Sequence, residues 1–150
     1  MPRRPDLPGA VLFACGRNAI RSPMAEALAQ RLFPGQIYVE SAGVLKGDPD
    51  PFVASVMEEI GVDMSRHTPK TIDELADSNF DLVISLAPEA HHKALEMTRT
   101  EYIDVEYWPT MDPSVVHGSR AQILDAYRSV RDRLKKQIED RFGWKPAAPD

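Results

Sequence analysis

The run Ala10-Val11-Leu12-Phe13-Ala14 leads directly into Cys15-Gly16-Arg17-Asn18-Ala19-Ile20-Arg21-Ser22, and Pro23 then opens a helical periodicity. A short, wholly apolar run bounded by turn residues suits a strand buried on both faces. Met24, Leu28 and Leu32 share one face of the helix that follows. The chain therefore commits early to strand, tight loop and helix, the first half of a βαβ unit. The loop falls at the carboxyl end of the strand, where open α/β sheets take their ligands.

The same alternation continues. Ile37-Tyr38-Val39 reads as a second strand, and Asp50-Pro51 opens a helix with the apolar stripe Phe52, Val53, Val56, Met57 and Ile60, closed by Gly61. Leu82 to Leu86 reads as a third strand, Pro88 to about Leu95 as a short helix, and Tyr102 to Trp108 as a fourth strand. A long helix over about Ser119 to Phe142 carries Ile123, Tyr127, Val130, Leu134 and Ile138 on one face and stops at Gly143. Right-handed crossovers then imply an α/β three-layer sandwich around a four-stranded parallel sheet of flavodoxin-like order 2-1-3-4. The expected organisation is a flexible lead-in over 1–9, one domain over 10–143 and a loosely held tail over 144–150.

Composition narrows the function. With 150 residues and 43% hydrophobic content the chain can bury a core. A net charge of -5 argues against a nucleic-acid partner held by a basic surface. Apolar stretches are too short to span a bilayer, and Met1-Pro2-Arg3-Arg4-Pro5-Asp6 lacks the apolar centre of a signal peptide, so a cytoplasmic protein without membrane contact is expected. The single cysteine excludes an internal disulfide and fits a reducing compartment. No spacing of metal ligands stands out, and the charges around His91 and His92 read as a solvated helix face, so neither metal nor organic cofactor is expected.

Five residues, Gly16, Arg17, Asn18, Ala19 and Ile20, separate Cys15 from Arg21. Such a loop can curl until its amides converge on one tetrahedral anion, and the next helix adds its positive N-terminal end. The same field favours a thiolate, the competent nucleophile. The planar fork of Arg21 can grip two phosphoryl oxygens, which lysine cannot do. A lone cysteine ending an apolar strand is ordinarily a packing residue. The combination favours chemistry instead: strand, Cys15, loop, Arg21, Ser22 as helix N-cap and Pro23 as first helical residue. Thiolate attack on a phosphomonoester needs a proton for the leaving oxygen, and Asp112, before Pro113 and after the fourth strand, is placed to supply it. Asp112 equally suits a turn or helix cap, and spacing leaves both roles open.

Cys15 to Ser22 with Pro23-Met24-Ala25-Glu26, Ser41-Ala42-Gly43 and Asp112-Pro113 resembles the low-molecular-weight protein tyrosine phosphatases, whose fold also serves thioredoxin-coupled arsenate reductases. The resemblance implies that Cys15 is the nucleophile, Arg21 binds phosphate, Ser22 hydrogen-bonds the thiolate and Asp112 is the general acid. It further implies that Asn18 holds an unusual loop conformation, supported by Ser41 and His67, although a histidine such as His67 is as readily an ordinary loop residue. Family members usually carry glycine at the position of Arg17 and a second cysteine at that of Ile20. Arg17 either strains the loop, if that position needs a positive φ, or adds a cation beside the phosphate, and the second reading is favoured. Ile20 removes a neighbouring thiol that can protect the nucleophile from overoxidation. Ser114 and Val115 stand where eukaryotic-type enzymes carry tyrosines.

The expected activity is phosphomonoester hydrolysis through a phosphocysteine, on a phosphorylated protein, a tyrosine phosphate above all, or on a small aryl phosphate. Thr68-Pro69-Lys70 and Tyr107-Trp108 through Asp112-Pro113 look closer to the arsenate reductases. One cysteine rules out their internal thiol relay, which leaves a reductase served by an external thiol as an alternative. A non-catalytic phosphate or phosphoprotein binder is the third.

Overall fold

The computed structural model describes residues 6–75, 79–99 and 102–146. Residues 1–5 of the expected lead-in and 147–150 of the expected tail lie outside that description. Four strands, β1 (Ala10–Cys15), β2 (Tyr38–Gly43), β3 (Leu82–Ser85) and β4 (Asp104–Tyr107), form one parallel sheet in the order β2-β1-β3-β4. Four helices accompany them: α1 (Arg21–Leu32), α2 (Pro51–Glu58), α3 (Pro88–Met97) and α4 (Arg120–Phe142).

Residue alternation along β1 divides the core. Val11, Phe13 and Cys15 face the layer of α1 and α4, with α2 against α4, where Met24, Leu28, Tyr127, Leu134 and Ile138 are buried. Leu12 and Ala14 face the opposite layer, with Ala90 and Ala94 of α3. Alanines on α3 let that helix approach the sheet closely. Leu7 is buried, and Trp144 packs against the first layer with its amide bonded to the Glu139 carbonyl at 2.9 Å, so the described ends of the chain touch the core.

The elements agree with the sequence reading in number and type, and their limits differ for tertiary reasons. β2 extends through Ser41-Ala42-Gly43, residues of little strand character, because pairing with β1 continues to Cys15↔Gly43. β4 is confined to Asp104–Tyr107, where β3 pairs with it, and Tyr102 is fully exposed. α1 starts at Arg21, and its N-cap, Ile20, makes no side-chain bond. Ser22 is therefore not the N-cap, and Pro23 is the third helical residue rather than the first, still within the turn whose amides lack intrahelical partners. α4 starts and stops where expected, and the structure adds a Ser119–Gln122 capping box at its start and Gly143 in the left-handed region, φ 68°, at its end.

Candidate active site

Backbone bonds set the shape of the loop between β1 and α1. The amides of Val44, Leu45 and Gly47 bond to the carbonyls of Cys15, Gly16 and Arg17 at 3.1, 2.9 and 2.8 Å. Those carbonyls are thus turned toward the segment after β2, while the amides of residues 16 to 20 have no hydrogen-bond acceptor among the described residues. Unpaired amides gathered in one loop make the kind of concavity that can take an anion. Gly43 permits the close approach: a Cβ there would lie 2.6 Å from the Asn18 nitrogen.

Asn18 holds the turn. It is fully buried, and with φ 54° it is the one non-glycine residue at positive φ among the described residues. Asparagine tolerates this region better than most side chains. Its Nδ2 donates to Ser22 Oγ and to Ser41 Oγ, each at 2.9 Å, and its Oδ1 accepts from the Lys70 amide at 2.9 Å. Its carbonyl lies 3.2 Å from His67 Nε2, and since a carbonyl only accepts, that nitrogen carries the hydrogen. Ser41 Oγ donates in turn to Glu26 Oε1 at 2.5 Å. The positive φ falls on Asn18 and not on Arg17, so the strain considered for Arg17 is absent.

Cys15 is buried, with its Sγ 2.9 Å from Ser22 Oγ. Because Ser22 already accepts from Asn18, its single hydroxyl proton is free to point at sulfur, its other acceptor being the Ala42 carbonyl at 3.5 Å. Arg21 Nη1 donates to the Thr110 carbonyl at 3.0 Å, which ties the base of the loop to the segment after β4. Thr110 is fixed in turn by its amide on the Leu86 carbonyl at 3.1 Å. Two residues on, Asp112 Oδ1 accepts from the amide and hydroxyl of Ser114 at 2.9 and 2.6 Å and caps the short 3₁₀ turn Pro113–Val115. Capping and a place at the site, alternatives on the sequence, coexist here.

A cavity of about 190 Å³ is lined by Cys15, Gly16, Arg17, Ala19, Ile20, Arg21, Glu89, Asp112 and Ser114. It collects the expected nucleophile and arginine from the loop after β1 and the expected acid from the segment after β4. Asn18, Ser22, Ser41 and His67 stand behind it. A larger cavity of about 670 Å³, beside α2 and the segment through His67, includes neither Cys15 nor Arg21.

The model of the low molecular weight phosphotyrosine protein phosphatase family matches residues 10–142. The chain belongs to this family. Among relatives, a glutaredoxin arsenate reductase of Synechocystis sp. is 34% identical over 130 residues, covering 87% of this chain and 93% of that protein. An arsenate reductase of Bacillus subtilis is 30% identical over 130 residues, covering 87% and 92%. The solved structure of an arsenate reductase in the phosphate binding state superposes with a TM-score of 0.71 at 32% identity, over 90% of this chain and 97% of that one. A low molecular weight protein tyrosine phosphatase from T. tengcongensis superposes with a TM-score of 0.75 at 22% identity, over 90% and 98%, and shares the fold. Phosphatases and arsenate reductases thus both stand among the family neighbours of this chain.

Several contributors escaped the sequence reading. Glu26 lay within the quoted motif without a role, and the Lys70 amide and Thr110 carbonyl act through backbone atoms that no side-chain pattern reveals. Glu89 fell within the short helix expected after Pro88 and was given no role. His91, expected on a solvated face, is half-buried, with Nδ1 2.9 Å from Ser85 Oγ and its ring stacked 4.5 Å from that of Tyr107.

Proposed function

We propose that the protein hydrolyses phosphomonoesters through a phosphocysteine. The Cys15 thiolate attacks phosphorus in line and the ester P–O bond breaks. The amides of residues 16 to 20 and the Arg21 guanidinium hold the three remaining oxygens as charge develops on them. Asp112 gives its proton to the departing phenol or alcohol. As a carboxylate it then takes a proton from water, whose oxygen attacks the phosphocysteine, releasing inorganic phosphate and restoring Cys15. The observation that carries this reading is the single cavity lined by Cys15, Arg21 and Asp112. Arg21 and the amides supply the positive field, so the scheme calls on no metal or organic cofactor. The substrates proposed are a phosphorylated protein, with tyrosine phosphate foremost, and small aryl phosphates, in a cytoplasmic setting that keeps Cys15 reduced. Turnover of an aryl phosphate, compared with Cys15→Ser and Asp112→Ala, tests the scheme. No turnover despite phosphate or vanadate binding would leave a binding protein instead.

A second reading rests on the relatives named arsenate reductase. Arsenate in the same loop would condense with Cys15, losing water to form a thiol–arsenic(V) bond. An external thiolate attacking Cys15 sulfur would then expel arsenite with the bonding electron pair and leave a mixed disulfide, which a second thiol reduces. The external thiol is required because the chain has one cysteine. Thiol-dependent arsenate consumption faster than ester hydrolysis would favour this reading.

A further inference from the structure

The mouth of the cavity holds two charged side chains that the proposed chemistry does not use. Glu89, in the first turn of α3, lies directly over the loop: a Cβ placed on Gly16 would be 2.5 Å from its Oε1. Gly16 thereby makes room for a carboxylate beside the first amide of the cradle. Serving the dipole of α3 alone would not require this, since any first-turn carboxylate does so from solvent. Arg17 lies on the other side, where a Cβ on Gly47 would be 2.9 Å from its own Cβ. Both side chains line the cavity, and neither has a charged or hydrogen-bonded side-chain partner among the described residues.

The strand order turns these contacts into a polarity. The segment holding Gly47 follows β2, α3 follows β3 and Asp112 follows β4, in a sheet ordered β2-β1-β3-β4. The rim therefore carries Arg17 on the side of β2 and the Glu89 carboxylate on the side of β3. An unpaired carboxylate beside a bound phosphoryl group opposes binding unless a positive charge sits between or beyond them.

We propose that Glu89 is a specificity-determining residue which, with Arg17 opposite, selects phosphomonoesters whose leaving group carries an ammonium or guanidinium on the α3 side. This rests on the hydrolase reading and names its substrate class. The cation completes the rim over Glu89 while the phosphoryl group sits on the amides and Arg21. A leaving group with a carboxylate in the same place is turned away.

The test compares para-(aminomethyl)phenyl phosphate with para-(carboxymethyl)phenyl phosphate as substrates for the wild type, Glu89→Gln, Glu89→Lys and Arg17→Gln. The ratio of their kcat/KM values, cation over anion, cancels overall loss of activity or folding. It falls about fivefold in Glu89→Gln, as expected for removal of one solvent-accessible charge contact. It falls further in Glu89→Lys, rises in Arg17→Gln, and these differences shrink as salt is raised. One ratio shared by all four proteins overturns the proposal. If the wild type hydrolyses neither compound, the hydrolase reading fails separately, and calorimetric titration of the same pair decides the role of Glu89. An order of affinities that reverses in Glu89→Lys supports it, and an unchanged order overturns it.

Discussion

Behind and in front of the loop, the same few residues meet two different environments. Behind it, Asn18, Ser22 and Ser41 are fully buried, and the three share hydrogen bonds with one another, Glu26 and the Lys70 amide. In front, Arg17 and Glu89 are exposed, and Asp112 is held by one neighbour, Ser114. A buried polar network is stable only when every member is satisfied, so the rear admits one arrangement. The front is wet, and its side chains can change without leaving a buried group unpaired. On the proposed reading, position is built into the rear and choice of substrate into the front.

Cys15 sits on the boundary, and Cys15→Ser produces the largest change. Aryl phosphate turnover falls more than about a thousandfold, as when a nucleophile is lost, while phosphate binding survives because the amides and Arg21 remain. Residual turnover close to wild type would break the assignment. Asp112→Ala lowers kcat by about a hundredfold or more. The loss is greater for alkyl than for nitrophenyl esters, since only a poor leaving group needs the proton. An equal loss for both would make Asp112 merely a cap.

Asn18→Ala tests the rear. It leaves the hydroxyls of Ser22 and Ser41 and the Lys70 amide short of a partner and puts alanine at a left-handed φ, costing about 2 to 4 kcal/mol of stability by urea denaturation. The rear and front are separable only if this variant loses kcat in the same degree toward cationic and anionic esters. A change in their ratio would show that the rear also selects substrate. Tyr127→Phe has a smaller effect. The buried hydroxyl of Tyr127 donates to Asp50 Oδ2 at 2.8 Å, and burial, together with that bond, pushes its pKa up. Losing the bond costs about 1 kcal/mol, and because Asp50 also caps α2 through the Phe52 amide, the segment after β2 loosens.

The smallest effect lies far from the site. Hydrogen bonds from Arg128, then Arg131, hold the Glu59 carboxyl down at about 2, against an ordinary value of 4.5. Its folded pKa is depressed, so its contribution is present above the ordinary value and fades as pH falls from 4.5 toward about 2. Glu59→Gln should flatten the acid limb of a stability-against-pH curve across that window. An acid limb identical to wild type would remove Glu59 from the account.

What the sequence could determine was what lies close together along it. Strand β1, the loop from Cys15 to Arg21 and helix α1 form one continuous stretch, and hydrophobic period, loop length and residue type each report on near neighbours. The approximate limits of α4 at Ser119 and Gly143 were legible for the same reason. The start of α1 was missed because the Ser22 hydroxyl, suited to capping, is drawn to Cys15 and Asn18 across the loop. Only the tertiary structure decided which groups from distant segments meet there. The pairing of β2 with β1 brings Ser41 to Asn18, the β3–β4 edge brings Thr110 to Arg21, and α3 sets Glu89 over Gly16. Such meetings depend on strand order and crossover packing, which leave no periodic trace in the chain. Residue types in the loop thus pointed to a thiol beside a tight loop and an arginine, whereas the charges that line the cavity in front of it were fixed by the way the sheet was assembled.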